Sequence, residues 1–172
     1  MIRSLASIIA ALHLVAPSFG PKMPAALLVH RLADDGDFDP FTLLAHVEHE
    51  TRWQTDAIGT YDGIEYVGAG QQRLLNYPAC QADLASLECE KVRASLLDWR
   101  FNLTETARSF VIWRAYCKDH GFTGEAKWWI QGLTGWDAKR HTTCGHRGRK
   151  ALPVPEPVTK LLKRRAELAA RF

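Results

Sequence analysis

The chain has 172 residues, 47% of them hydrophobic, and a formal net charge of +3 at pH 7. That length supports one ordinary globular core and leaves little for a second. Nothing repeats at a fixed period, no segment is of low complexity, and Gly-x-Ser-x-Gly, Walker and dinucleotide-binding patterns are missing, so solenoids and those enzyme classes fall away. The charge is unevenly placed: residues 139–172 hold 10 Lys/Arg against 2 Asp/Glu, a balance of +8, while the preceding 138 residues hold 12 against 17, or −5.

Residues 1–20 read MIRSLASIIAALHLVAPSFG, with Arg3 ahead of an apolar run from Leu5 to Val15 and a small-residue region at Ala16-Pro17-Ser18. This is the pattern of a secretory signal peptide, and the run is too short to span a bilayer. A buried N-terminal helix and an uncleaved anchor are the alternatives. Leu27, Leu28 and Leu32 make a helical stripe within Pro24 to Ala33, which Asp34-Asp35-Gly36-Asp37 ends. Asp39 then offers a cap and Pro40 a preset first position for a second helix, on which Leu43, Leu44 and Val47 share one face.

A polar loop rich in Gly and Tyr runs on to Gly70, with Ile64 to Val67 its strand signal. Gln71 to Leu75 starts a further helix, stopped at Asn76-Tyr77-Pro78. From Gln81, the residues Leu84, Leu87, Val92, Leu96 and Trp99 are spaced for a buried helical face. Thr104 to Cys117 reads as a long core helix carrying Phe110, Val111, Trp113 and Ala115, and His120-Gly121 ends it. Glu125 to Gln131 is a short aromatic helix, and residues 141–149 a loop. Pro153, Pro155 and Pro157 make a stiff spacer before a basic amphipathic helix from Val158 to Phe172. The fold class is mainly α with a minimal β-hairpin or loop region. Residues 1–20 form the signal, 24–138 one helical domain, and 139–172 a basic loop, spacer and closing helix.

Cys80, Cys89, Cys117 and Cys144 are an even number behind an export signal, which fits two disulfides with three possible pairings. Cys80 and Cys89 are close in sequence, so a local bridge there and a longer one from Cys117 to Cys144 is the expected arrangement. A periplasmic or secreted location is expected on the same grounds. The basic tail faces either an anionic polymer or only solvent.

The chemistry concentrates in Ala45 to Trp53, AHVEHETRW. Glu50 falls beside the Leu43, Leu44 and Val47 stripe, whereas Glu48 lies further round towards the polar side. Burial disfavours the charged form of a carboxyl, so Glu50 is placed to stay protonated and act as a general acid.

This segment also resembles the helix of soluble lytic transglycosylases, and more distantly goose-type lysozymes, that ends in Glu-Ser-x-Phe. Thr51 stands for the serine and Trp53 for the phenylalanine. Gly68-Ala69-Gly70-Gln71 resembles the family's Gly-Leu-Met-Gln, Asn102-Leu103 its Asn-Ile, and Trp129-Ile130-Gln131-Gly132 its Tyr-Asn-Ala-Gly, with the Tyr and Asn both replaced. The resemblance spans residues 24 to 138. It implies a lysozyme-like helical domain that cleaves the MurNAc-GlcNAc bond of peptidoglycan without a cofactor, using a single Glu. On this resemblance Glu50 is the catalytic residue. Thr51 holds its geometry or a substrate carbonyl, and Gln71 offers an amide to a sugar N-acetyl group. Tyr66 or Trp129 supplies an aromatic wall, with Gln131 beside it. The implied partner is a peptidoglycan glycan strand; nucleic acid is not expected.

Three rival readings stand beside it. Asp62 or Glu65 reaching the same cleft would supply the second carboxylate of a hydrolytic, inverting lysozyme. His46, His49 and Glu50, at i, i+3 and i+4, are spaced for one metal ion, and His141, Cys144 and His146 form a second candidate cluster. The third is a non-catalytic wall-binding protein, supported by the replaced Tyr-Asn pair.

Overall fold

Asp39 turns the chain into its central helix. Its carboxylate accepts the Phe41 amide at 3.0 Å, and Pro40, whose missing N–H is needed by no partner there, occupies the first position of α3 (Pro40–Thr51). Phe41, Leu43, Leu44 and Val47 of this helix are fully buried. The structure, a computed structural model, describes residues 3–121, 142–144, 146–147, 150–151 and 156–172. The expected helix at Glu125–Gln131, most of the Pro-rich spacer, and the candidates Trp129 and Gln131 lie outside them.

Around α3 pack α1 (Leu5–Val15), α2 (Lys22–Gly36), the long α6 (Trp99–Asp119) and the C-terminal α7 (Glu156–Arg171). The apolar run of residues 5–15 is a core helix in this structure, the arrangement of the buried-helix alternative: Ile8, Ala11, Leu12 and the following Ala16 are fully buried, with Val15 and Phe19 close to it. Ser4 caps it by accepting the Ser7 amide at 3.1 Å. Arg3 joins in as well. It donates to the Ala169 carbonyl at 3.3 Å, lies 3.9 Å from Asp39 and stacks over the Phe41 ring. α2 is longer than expected, because the stop comes at Asp37, which takes the left-handed conformation and returns its N–H to Ala33 and Asp34.

After α3, β1 (Ile58–Tyr61), β2 (Ile64–Val67) and β3 (Gln72–Arg73) form an antiparallel sheet with Ile58 opposite Val67 and Val67 opposite Gln72. β2 is the strand expected from sequence. β1 was hidden because most of it faces water, so it carries no apolar alternation. Its one signal was Asp62-Gly63, both at positive φ, the dipeptide that a two-residue hairpin turn prefers. Where a helix was expected from Gln71, the chain makes β3 and then a single 3-10 turn at Leu74–Asn76.

The long run from Gln81 is likewise cut into pieces. A short α4 (Pro78–Gln81) is followed by α5 (Leu87–Leu97), capped by Ser86, and then by α6, capped by Asp98, whose carboxylate accepts the Arg100 and Phe101 amides. Leu87 sits at the start of α5 and is 71% exposed rather than buried. α6 begins five residues before the expected Thr104 because Asp98 is the better cap. Phe110 faces the core, but Ala115 is exposed.

The disulfides are Cys80–Cys89 and Cys117–Cys144, the expected pairing. The first sits in a small second core with Val67, Leu74 and Leu96. Within the expected loop lie two two-residue strands, Thr142–Thr143 and His146–Arg147, and a third, Lys150–Ala151, follows it in the same antiparallel sheet. Helix α7 buries Val158, Leu161 and Leu168, and its Arg164 clasps Glu48 of α3 at 2.7 and 2.8 Å. The whole is mainly helical with little sheet, as expected. No helix among the described residues is long and apolar enough to cross a membrane.

Candidate active site

Glu50 lies in the last turn of α3, and the backbone at Arg52 and Trp53 fixes where that turn stops. Both residues are left-handed, at φ 53° and 65°. Such a conformation costs a side-chain-bearing residue about 1–2 kcal/mol. Burial of the Trp53 ring, 5% exposed with its centroid 5.3 Å from that of Phe19, offsets it. The side chain of Glu50 is left one quarter exposed, at 26%. Desolvation by the surrounding protein pushes its pKa up to about 7, so near neutral pH the acid and carboxylate forms are both abundant.

One turn earlier, His46 is buried at 4% exposure, and burial pulls its pKa down to about 4. Its ring stands edge-on to Phe110, with Nε2 3.4 Å from the Gly70 carbonyl and Nδ1 3.8 Å from Glu50 Oε1. His49, three residues on, is exposed. The two rings therefore part, one inward and one outward, which undoes the shared-ion geometry that their spacing suggested. Among the described residues no group of three or more His, Cys, Asp or Glu is arranged to hold a metal. In the second candidate cluster, Cys144 is tied up in a disulfide, while His141 lies outside the described residues.

The turn facing Glu50's helix is held by side chains from α6. Asn102, fully buried, accepts the Gly70 N–H at 2.6 Å and donates to the Val67 and Leu96 carbonyls, each at 2.9 Å. Both of its amide protons and its carbonyl are thereby satisfied. Thr106 accepts from Gln72 Nε2 at 3.0 Å. The two glycines are needed for this approach: a Cβ on Gly68 would sit 2.2 Å from Asn102 Nδ2, and one on Gly70 2.1 Å from Thr106 Oγ1. From the other side Thr51 donates its hydroxyl to the Ala69 carbonyl at 2.9 Å. Three separate sequence segments, 45–53, 68–71 and 102–103, thus meet in one hydrogen-bonded unit.

The remaining candidates fall around this unit. Thr51 is a brace between helix and turn, and its hydroxyl proton is engaged there. Gln71, at φ 49°, donates its amide to the Gly68 carbonyl at 3.0 Å and the Ala57 carbonyl at 3.4 Å, bracing the same turn from within. Tyr66 is half-buried on β2, on the strand face opposite Glu65 and Val67. Glu65 is held by Arg93 of α5 at 2.5 Å, and Asp62 stands at the exposed hairpin tip. Sequence reasoning placed His46 beside Glu50 only as a candidate metal ligand, and did not single out Gln72, whose side chain is buried. The signal for His46 was available in its i, i+4 spacing to Glu50. No protein family, curated protein or solved structure matches the chain.

Proposed function

We propose that this protein is a lytic transglycosylase of the cell envelope that cleaves the MurNAc-GlcNAc β-1,4 bond of peptidoglycan. The observation that carries the reading is Glu50: a partly accessible side chain whose carboxyl is protonated to about neutral pH, in the last turn of a helix whose end is braced against the 68–71 turn. A glycosidic oxygen leaves only if it receives a proton, and a carboxyl with a pKa near the working pH gives one and regains one readily. In the first step Glu50 protonates the glycosidic oxygen and the C1–O bond breaks. In the second, the C6 hydroxyl of the same muramic sugar closes on C1 and returns its proton to Glu50. The product is a 1,6-anhydro sugar, and the enzyme ends as it began.

Supporting the single-acid route over a hydrolytic one, Glu65 is held by Arg93 rather than left to activate a water. The meeting of the Glu50, Gly68-Gly70 and Asn102 segments, three of those on which the resemblance to soluble lytic transglycosylases rests, supports this reading. Tyr66 serves in this reading as an aromatic wall for a sugar face. The two disulfides suit an oxidising compartment, where the substrate is found.

The test is mass spectrometry of purified peptidoglycan digested with the protein and with Glu50→Gln. Anhydromuropeptides from the wild type alone are expected. Reducing-end products would turn the reading to a lysozyme. No products from either protein would sink it.

A further inference from the structure

The buried imidazole beside Glu50 has a definite protonation pattern, dictated by its contacts. A carbonyl oxygen only accepts, so the contact between His46 Nε2 and the Gly70 carbonyl puts the ring proton on Nε2. Nδ1 then carries a bare lone pair. It is buried and, among the described residues, has no hydrogen-bond partner. Its neighbour is Glu50 Oε1 at 3.8 Å, one helical turn away on the same face of α3. The ring cannot easily turn aside, because the edge-to-face packing on Phe110 and the Gly70 contact hold its plane.

We propose that His46 is the positioning residue for Glu50: its Nδ1 accepts the hydrogen bond of the protonated carboxyl, fixing the acid's orientation and keeping it neutral between turnovers. This rests on the reading of Glu50 as the acid. Closing 3.8 Å to hydrogen-bond length needs about 1 Å of movement, within reach of a glutamate side chain that is partly in solvent. Rotation about the Cγ–Cδ bond then hands the same proton to a glycosidic oxygen. Once the proton has gone, the carboxylate confronts the lone pair of Nδ1, two acceptors facing one another. That repulsion favours recovery of a proton in the second step. The same contact thus serves Glu50 first as acid and then as base, while the imidazole itself touches no substrate.

The ionisable groups acting on the ring are Glu50 and His49 of its own helix. From the elements packed against it, the 68–71 turn presents the Gly70 carbonyl and α6 the Phe110 ring. Of the cations that α7 brings to this helix, Arg164 is clasped by Glu48, Lys160 pairs with Glu156, and Arg165 acts on Asp39 at the helix start.

Two magnetic resonance measurements on the full chain test the proposal without calling on turnover. Nitrogen-15 shifts of His46 at neutral pH should report the Nε2–H tautomer; the Nδ1–H tautomer would overturn it. Carbon-13 carboxyl shifts should place the Glu50 midpoint lower by about half to one pH unit in His46→Leu, which keeps an apolar side chain there but removes the acceptor. A midpoint unchanged or raised in that variant would overturn it too. The tautomer is read on the unaltered chain, so it decides the matter even where the variant folds poorly. A protein that shows both expected shifts yet leaves peptidoglycan intact would keep the His46–Glu50 pairing and lose only the transglycosylase reading.

Discussion

At the scale of residues, the pH behaviour of this molecule is set by two opposed burials four residues apart. Glu50 binds its proton more tightly folded than unfolded, so its contribution to stability is present below about pH 4.5 and is lost as pH rises to about 7. His46 is the reverse: folding favours its neutral form, and stability is lost as pH falls from 6.5 towards about 4. Between those limits the two slopes nearly cancel. Glu50→Gln removes one of them, and urea unfolding of that variant should become steeper with pH, gaining about 3 kcal/mol from pH 4 to 6.5. At pH 8 it should exceed the wild type by about 1–3 kcal/mol, since a buried charge is gone. A variant no more stable than wild type at pH 8 would mean that Glu50 is not desolvated. Activity should run the other way. The acid form starts the reaction, so kcat/KM measured on peptidoglycan should fall as pH rises through about 7, and Glu50→Gln should be inactive at every pH.

Between elements, the decisive link is the one that α6 makes to the 68–71 turn. Asn102→Ala would leave the Gly70 N–H and the Val67 and Leu96 carbonyls without their partner. An unpaired buried polar group costs about 1–3 kcal/mol, so chemical denaturation should show a loss of about 3 kcal/mol or more. Lytic activity should drop with it, because the turn against which Thr51 and His46 rest is no longer fixed. The two disulfides give a second comparison. Their sequence separations are 9 and 27, and loop-closure entropy assigns about 2.5 kcal/mol to the shorter and about 3.5 kcal/mol to the longer. Replacing each pair by serine and comparing denaturant midpoints should rank them in that order.

For the whole molecule, the two ends of the chain hold each other. Ser7 donates to the Phe172 carbonyl at 2.9 Å, Arg3 reaches the Ala169 carbonyl, and α1 lies in the same core as α7. Burying the side chains of Ile8, Leu12, Val15 and Phe19 contributes about 6–12 kcal/mol in all. That is comparable with the entire stability of an ordinary domain. A chain starting at residue 21 should therefore lose its cooperative thermal transition by circular dichroism. A cooperative transition in the shortened chain would instead be the behaviour that a removable signal peptide requires. The basic tail meets the acidic body in a comparable way. Arg164 pairs with Glu48 of α3, so part of the tail's excess charge is answered by the body, while Lys160–Glu156 and Arg164–Glu167 are pairs within the tail.

Much of this was legible from residue order alone, and for local reasons. The Asp39-Pro40 start of α3, the amphipathic closing helix, the Cys80–Cys89 bridge and the placing of Glu50 beside an apolar stripe all depend on periods and spacings within a few turns of chain, and Cys117–Cys144 is the pair left once that bridge is made. The strand β1 and the breaks at Ser86 and Asp98 escaped, because an exposed strand has no hydrophobic pattern and a strong cap interrupts a stripe that otherwise looks continuous. The apolar run at residues 5–15 has the same composition as an export signal and as a core helix, and its packing against α2 and α3 in this structure could not be read from that composition. The surroundings of Glu50 were likewise a tertiary matter. The imidazole that faces the carboxyl is held by groups about 24 and 64 residues further along the chain, Gly70 and Phe110. Burial is a property of what packs around a side chain, and no local period encodes it.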